Sequence, residues 1–257
     1  MMATAEAADF QRIPLLERRP DDFPFYRGRP VALSLGQWLL LMVAICVGLY
    51  LLILPPPMLR GGGMLAVVRG ALLFLVPLIA LIIVAPKGWT ALFRHLRGID
   101  FAWMVFFALL NLLVTLIIGY LMVNLMETTS NAVVAAAGSA STLDQILLFV
   151  RAIPQLFGEE LVSILPFLAL LTFFTSRGIG RVASILLAML LTGVLFAAMH
   201  LPTYGYNIIQ SLGGIGPVRL VLLVPYIVTK NIWVSTGAHI LNDWLFFAVN
   251  IAGSADG

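Results

Sequence analysis

Apolar runs, each close to the length of a bilayer crossing and each ended by Gly, Pro or charge, recur along the whole chain after Val31. About 20 apolar residues span the hydrocarbon core of a membrane. The candidates are Leu33–Leu54, Leu65–Ala85, Phe101–Met126, Leu143–Thr175, Val182–His200, Val218–Thr229 and Ile232–Ile251. A transmembrane barrel needs segments of about ten residues that alternate polar and apolar, and the unbroken run Leu65–Ala85 does not alternate. Of 257 residues, 61% are hydrophobic and 11% charged, too few charges to cover a soluble surface. Disorder, collagen and coiled coil are excluded on the same grounds. The expected fold class is all-α, a polytopic transmembrane helix bundle with seven to eight helices.

The count depends on two runs. Leu143–Thr175 is longer than one crossing and holds Arg151, Pro154, Gly158 and Pro166, so it reads as two pieces, a tilted entry helix and a spanning helix. Val218–Thr229 is short, and with the Gly-rich stretch Tyr204–Gly216 it reads as a re-entrant or interrupted crossing. The chain divides into an N-terminal tail at 1–32, three transmembrane helices within 33–142, a transmembrane core at 143–251 and a C-terminal tail at 252–257. The tail at 1–32 mixes both charges and has no apolar signal-peptide core, so it is expected to be retained.

The net charge of +3 comes from basic residues in short loops beside apolar runs, which is a topology signal and not a nucleic-acid stripe. The tail, the loop Pro86–Asp100 and the turn with Arg177 and Arg181 should share the cytoplasmic side. The loops Pro55–Gly63 and Glu127–Thr142 should lie opposite. This alternation suits a bacterial inner membrane with the N-terminus in the cytoplasm. The single cysteine, Cys46, reads as a small core residue.

Ionisable residues at membrane depth cost roughly 2.5–3.5 kcal/mol each on insertion scales and so need a partner or a task. Glu159 and Glu160, then His200, then His239 and Asp243 stand on three different apolar runs. Glu159 and Glu160 are about 100° apart on a helix, so one faces a cavity while the other turns to a neighbour. His239 and Asp243, four apart, share a face. Gly158 permits a break or a close backbone approach. These groups together point to one polar site. His95 sits in a basic loop and reads as solvated, Arg151 as an interfacial anchor or a glutamate counter-ion, and Ser163, Thr172 and Ser184 as backbone-bonding residues.

In order, Glu159–Glu160, Phe196-x-x-x-His200 followed by Leu201–Pro202, and His239-x-x-x-Asp243 resemble the CPBP family of intramembrane endopeptidases, which includes the type II CAAX prenyl proteases and the bacteriocin-processing, or Abi, proteins. The likeness spans about Leu143 to Ile251. The family's first motif is Glu-Glu-x-x-x-Arg, and Ile164 stands here in place of that arginine, leaving Glu160 without an evident counter-charge. The resemblance implies Glu159 as the base that activates water, with His200 orienting that water or carrying its proton. His239 would donate to the oxyanion, with Asp243 accepting the ring proton of His239 and so orienting it. No cofactor is implied. Zinc held by Glu159, His200 and His239 is the chemical rival, on composition alone.

Three functions follow. The chain is first expected to be an endopeptidase of peptide or membrane-protein substrates in a lipid bilayer. The second is a catalytically silent member serving as an accessory subunit of a larger membrane complex or as an immunity protein. The third is a proton or ion transporter. One geometric tension accompanies all three: His200 lies about 27 Å along a helix starting at Val182, and His239 only about 10–12 Å into its own from the same side.

Overall fold

The structure, a computed structural model, describes residues 12–13, 16–131, 137–138 and 140–255. Among the described residues there is no strand, and the helices are α1 (Leu35–Ile53), α2 (Met64–Val84), α3 (Gly98–Leu125), α4 (Thr142–Ser176), α5 (Arg181–Met199), α6 (Ile208–Thr229) and α7 (Ile232–Ala255). The first six are long and apolar enough to cross a membrane. This is the all-α membrane bundle expected from the sequence, with seven helices. Local chemistry sets several boundaries. Ser34 and Gln37 form a reciprocal capping box at the start of α1, and Ser141 caps α4 by accepting from the Asp144 N–H.

The long fourth run is one helix of 35 residues and not two pieces. Pro154 and Pro166 each remove a helical hydrogen bond, at a cost of about 3 kcal/mol in an unsupported helix. Here α4 is the central element, with 78% of its apolar window buried against 22–50% for the other five spans. Packing of α2, α5 and α7 around it holds the prolines in a continuous helix. The sixth run is longer than its apolar part: α6 begins at Ile208, and a π-type turn at Ser211–Ile215 carries the chain through the Gly-rich stretch. The sequence suggested a re-entrant or interrupted crossing; the stretch is instead carried into one 22-residue helix by this turn.

Helices α4, α5, α6 and α7 pack around one another, with α1 and α2 stacked outside α4 and α3 laid along α6 and α7. Gly158 is where α2 and α4 approach closely: a Cβ there would stand 2.8–2.9 Å from Leu73 Cγ, Leu73 C and Phe74 N. Two of those three atoms are backbone and cannot yield. Gly158→Ala is therefore expected to destabilise the protein by about 1–3 kcal/mol. The measurement is thermal unfolding in detergent, where an unchanged midpoint would contradict the close packing.

Residues from Leu16 onward in the segment read as a tail are part of the folded body. Phe23, Phe25 and Tyr26 are buried in the main apolar cluster, and Arg18 N–H donates to the Val228 carbonyl. The acids of this segment also tie the basic loops together. Glu17 takes Arg181 Nη1 at 2.6 Å and Lys230 Nζ at 2.6 Å, Asp22 takes Arg181 Nη2 at 2.7 Å, and Asp21 takes Arg94 at 2.6 Å. At the other terminus α7 runs to Ala255, through most of the expected 252–257 tail. Cys46 is exposed on α1, among outward-facing Val43 and Val47, and is not a core residue.

Burial pushes the Glu17 carboxyl up, but hydrogen bonds from Arg181 and Lys230 overcome it and hold it near about 2, against 4.5 for the free group. A depressed folded-state value means this contribution to stability is complete above about pH 4.5 and is lost as the pH falls towards 2. Wild-type protein is expected to lose thermal stability progressively over that interval. Glu17→Gln should show a flatter acid limb there, and parallel curves for the two proteins would contradict the assignment.

Candidate active site

Five sequence-selected residues converge on a single region. Glu159 and Glu160 come from α4, His200 from the end of α5, and His239 and Asp243 from α7. Glu159, His200, His239 and Asp243 all line a cavity of about 660 Å³. Glu160 does not. It turns away from the cavity, fully buried, which is the division expected for adjacent residues on a helix.

Glu160 is the hub. Its Oε1 accepts from Arg219 Nη1 of α6 at 2.7 Å and from His239 Nδ1 of α7 at 2.9 Å. Both ends of the Arg219 pair are fully buried. A carboxylate oxygen can only accept here, so His239 carries a proton on Nδ1, and Nε2 is directed to the remaining acids. Nε2 lies 3.8 Å from Asp243 Oδ1 and 4.0 Å from Glu159 Oε2. The role expected of Asp243, accepting the ring proton of His239, is thus filled by Glu160.

Glu159 is held by Gln155, one turn earlier on α4, whose Nε2 donates to Glu159 Oε1 at 3.0 Å. The Ser163 hydroxyl donates to the Glu159 carbonyl at 3.0 Å. Thr172 and Ser184 likewise donate to backbone carbonyls, as expected. On α5, His200 Nδ1 is 2.9 Å from the Phe196 carbonyl, which fixes the proton on that nitrogen and leaves Nε2 free. The Phe196 ring also carries the Arg219 guanidinium 4.7 Å from its centroid, so this aromatic residue touches both His200 and the hub cation.

Asp243 is backed by a polar chain from α3. Asn111 Nδ2 donates to Asn242 Oδ1 at 3.1 Å, and Asn242 Nδ2 donates to Asp243 Oδ1 at 2.9 Å. Of the other sequence candidates, His95 is exposed in the loop before α3 and offers its backbone carbonyl to Arg19. Arg151 lines the cavity and is not the counter-ion of Glu160. Among the described residues no three His, Cys, Asp or Glu side chains are gathered so as to hold a metal ion.

Three residues of the polar cluster escaped the sequence reading. Arg219 is the second residue of the apolar run Val218–Thr229. With α6 starting at Ile208, it lies at the middle of a 22-residue helix, where an arginine is a strong signal. Ile164 is a fully buried member of the apolar cluster, and Arg219 supplies from another helix the counter-charge that Glu160 seemed to lack. Asn111, an amide inside the apolar run Phe101–Met126, and Gln155, one turn from Glu159, were equally visible and equally passed over.

The tension between His200 and His239 resolves at the turn between α6 and α7. Val228, Thr229, Lys230, Asn231 and Ile232 are all buried, covered by the N-terminal segment and by Arg94, which donates to the Lys230 carbonyl. Helix α7 therefore begins inside the protein body and not at its face. This lifts His239 toward the end of α5.

The sequence pattern of the family described as type II CAAX prenyl endopeptidase Rce1-like matches residues 141–245, which contain every side chain of the cluster contributed by α4 to α7. No curated protein and no solved structure matches the chain. Through residues 141–245 the chain carries a domain of the Rce1-like type II CAAX prenyl endopeptidase family, the CPBP proteins, set in a membrane bundle.

Proposed function

We propose that the chain is an intramembrane endopeptidase that hydrolyses a peptide bond of a membrane-associated substrate with water activated by Glu159. The observation that carries this reading is the unequal treatment of the two glutamates. Glu160 is consumed by Arg219 and His239, whereas Glu159 reaches the cavity and lies 4.0 Å from a histidine nitrogen.

In this mechanism the Glu159 carboxylate takes a proton from water as the water oxygen attacks the substrate carbonyl. His200 holds the same water through its free Nε2. His239, donating Nδ1–H to Glu160 and Nε2–H to the developing oxyanion, stabilises the tetrahedral intermediate. The proton on Glu159 then passes to the leaving amine as the C–N bond breaks. Asp243, fixed by Asn242, stands 3.8 Å from Nε2 of His239, where its negative charge favours the doubly protonated ring. No metal takes part in this scheme.

The family's description supplies a substrate class, a lipid-bearing chain ending in a CAAX sequence. The cavity wall suits such a segment, because Leu148, Ala152, Leu156, Phe246 and Phe247 share it with the polar cluster. The basic loops favour a cytoplasmic N-terminal face in a bacterial inner membrane. Thr129, Ser130 and Asn131, which line the cavity, belong to the loop that the charge pattern assigns to the opposite face, which supports an opening on that side.

The test is cleavage of a fluorescence-quenched farnesylated CAAX peptide by purified protein in nanodiscs, which expose both faces. Wild-type protein should release a C-terminal fragment in the presence of a metal chelator. Activity lost to the chelator and restored by zinc would transfer water activation to a metal. Equal rates for wild type and Glu159→Gln would remove Glu159 as the base, and no release by the wild-type protein would end the peptidase reading and favour the silent accessory or immunity role.

A further inference from the structure

The outer part of the cavity carries positive charge that the peptidase mechanism does not use. Arg151 and Arg69 both line it, and among the described residues the acids in the lining are Glu159 and Asp243 of the proposed catalytic cluster. Arg69 is fixed in place: its Nη1 donates to the Leu59 and Gly61 carbonyls at 2.5 and 2.8 Å. Arg151 is half-buried and, among the described residues, makes neither a hydrogen bond nor an ion pair. An arginine on a membrane helix ordinarily reaches water past the helix end or pairs with an acid. This one lines a largely apolar cavity with a second guanidinium near it, so its donors are available to a ligand that brings negative charge.

Its position fits such a ligand. Arg151, Gln155 and Glu159 succeed one another at four-residue intervals on α4, and all three line the cavity. Eight residues of helix rise about 12 Å. An extended peptide covers about 3.3 Å per residue. An anionic group at Arg151 thus lies about three to four residues from a bond attacked at Glu159. The planar guanidinium fork matches the two oxygens of a carboxylate or a phosphate.

We propose that Arg151, supported by Arg69, forms an oxyanion-binding subsite that anchors the ligand in the cavity, either by the free carboxylate ending a peptide chain or by a lipid phosphate. The inference rests on the peptidase reading for what is cut, but the binding can be read without any cleavage. With a chain-end carboxylate in the subsite, the distance to Glu159 selects a bond close to the terminus.

The experiment uses Glu159→Gln protein in neutral phosphatidylcholine nanodiscs and measures the affinity of a farnesylated CAAX peptide with a free carboxylate and of its C-terminal amide. The acid is expected to bind about tenfold more tightly, as a charge-assisted pair requires. Adding Arg151→Gln should bring the two within about twofold, and Arg151→Lys should keep part of the difference. Raising the salt should narrow the difference without any substitution at Arg151.

Repeating the measurement with phosphatidylglycerol in the nanodisc separates the two sources. A preference that survives assigns the subsite to the chain end. One that disappears, together with phosphatidylglycerol retained in an Arg151-dependent manner, assigns it to lipid phosphate. Absence of any acid preference, whether both peptides bind equally or neither binds, with no Arg151-dependent lipid retention, overturns the subsite. Acid preference without wild-type cleavage defeats the peptidase reading alone, and cleavage without acid preference defeats the subsite alone.

Discussion

Glu159→Gln is expected to lower the rate of peptide hydrolysis about 10²–10⁴-fold, the usual worth of a positioned general base. The substitution is nearly isosteric. The side-chain oxygen that accepts from Gln155 at 3.0 Å is retained, and the backbone carbonyl of residue 159 still takes the Ser163 hydroxyl. The loss should therefore fall on kcat, with KM and the melting temperature close to wild type. Glu160→Gln provides the contrast. That side chain never reaches the cavity, and its oxygen holds both Arg219 and His239. Its replacement should lower stability and activity together. A Glu159→Gln protein that is unstable but still active per folded molecule would show that the two glutamates have been assigned in the wrong order.

The same pair of residues shows what a sequence can and cannot disclose about such a site. Helices α1, α2, α3, α5 and α7 were legible because lipid and buried interior both demand apolar side chains, and every backbone group must be paired within its own helix. The acids and histidines were legible because they violate that demand. Lost was the information carried between helices. Arg219 drew no role from the sequence, because it stands beside the Gly-rich lead-in and next to the first residue of the apolar run Val218–Thr229, and not at the middle of a visible crossing. That lead-in becomes helix because a π-type turn carries the chain through it and neighbouring helices cover it.

The N-terminal segment misled for a related reason. Its alternating acids and arginines describe a solvated tail if it stands alone. They describe a plug when Glu17 meets Arg181 and Lys230, residues far away in sequence. A one-dimensional pattern records which groups need partners. It does not record which helix supplies them, and for Glu160 that distinction decides whether the site is complete.

Arg219→Met should accordingly be among the most destabilising single substitutions in the chain, at about 3–5 kcal/mol, because it leaves Glu160 as a buried charge with only His239 beside it. The converse change, Glu160→Met, strands a buried guanidinium that keeps the face of Phe196 but loses its carboxylate. The double variant Arg219→Met/Glu160→Met should recover most of the lost stability while remaining inactive, since His239 then has no acceptor to fix Nδ1. Thermal unfolding of the four proteins in detergent measures the coupling directly.

A third substitution tests where the cation must stand. Position 164 is one helical turn after Glu160, the place of the arginine in the family's first motif, and side chains four apart on a helix meet. Ile164→Arg added to Arg219→Met should restore part of the stability, because it returns a guanidinium to Glu160 as another is withdrawn from α6. In the wild-type background the same Ile164→Arg change should destabilise, since it forces a second cation into a fully buried position beside a carboxylate whose charge Arg219 already balances. Additive effects of the two substitutions would mean that Arg219 and position 164 do not serve the same carboxylate.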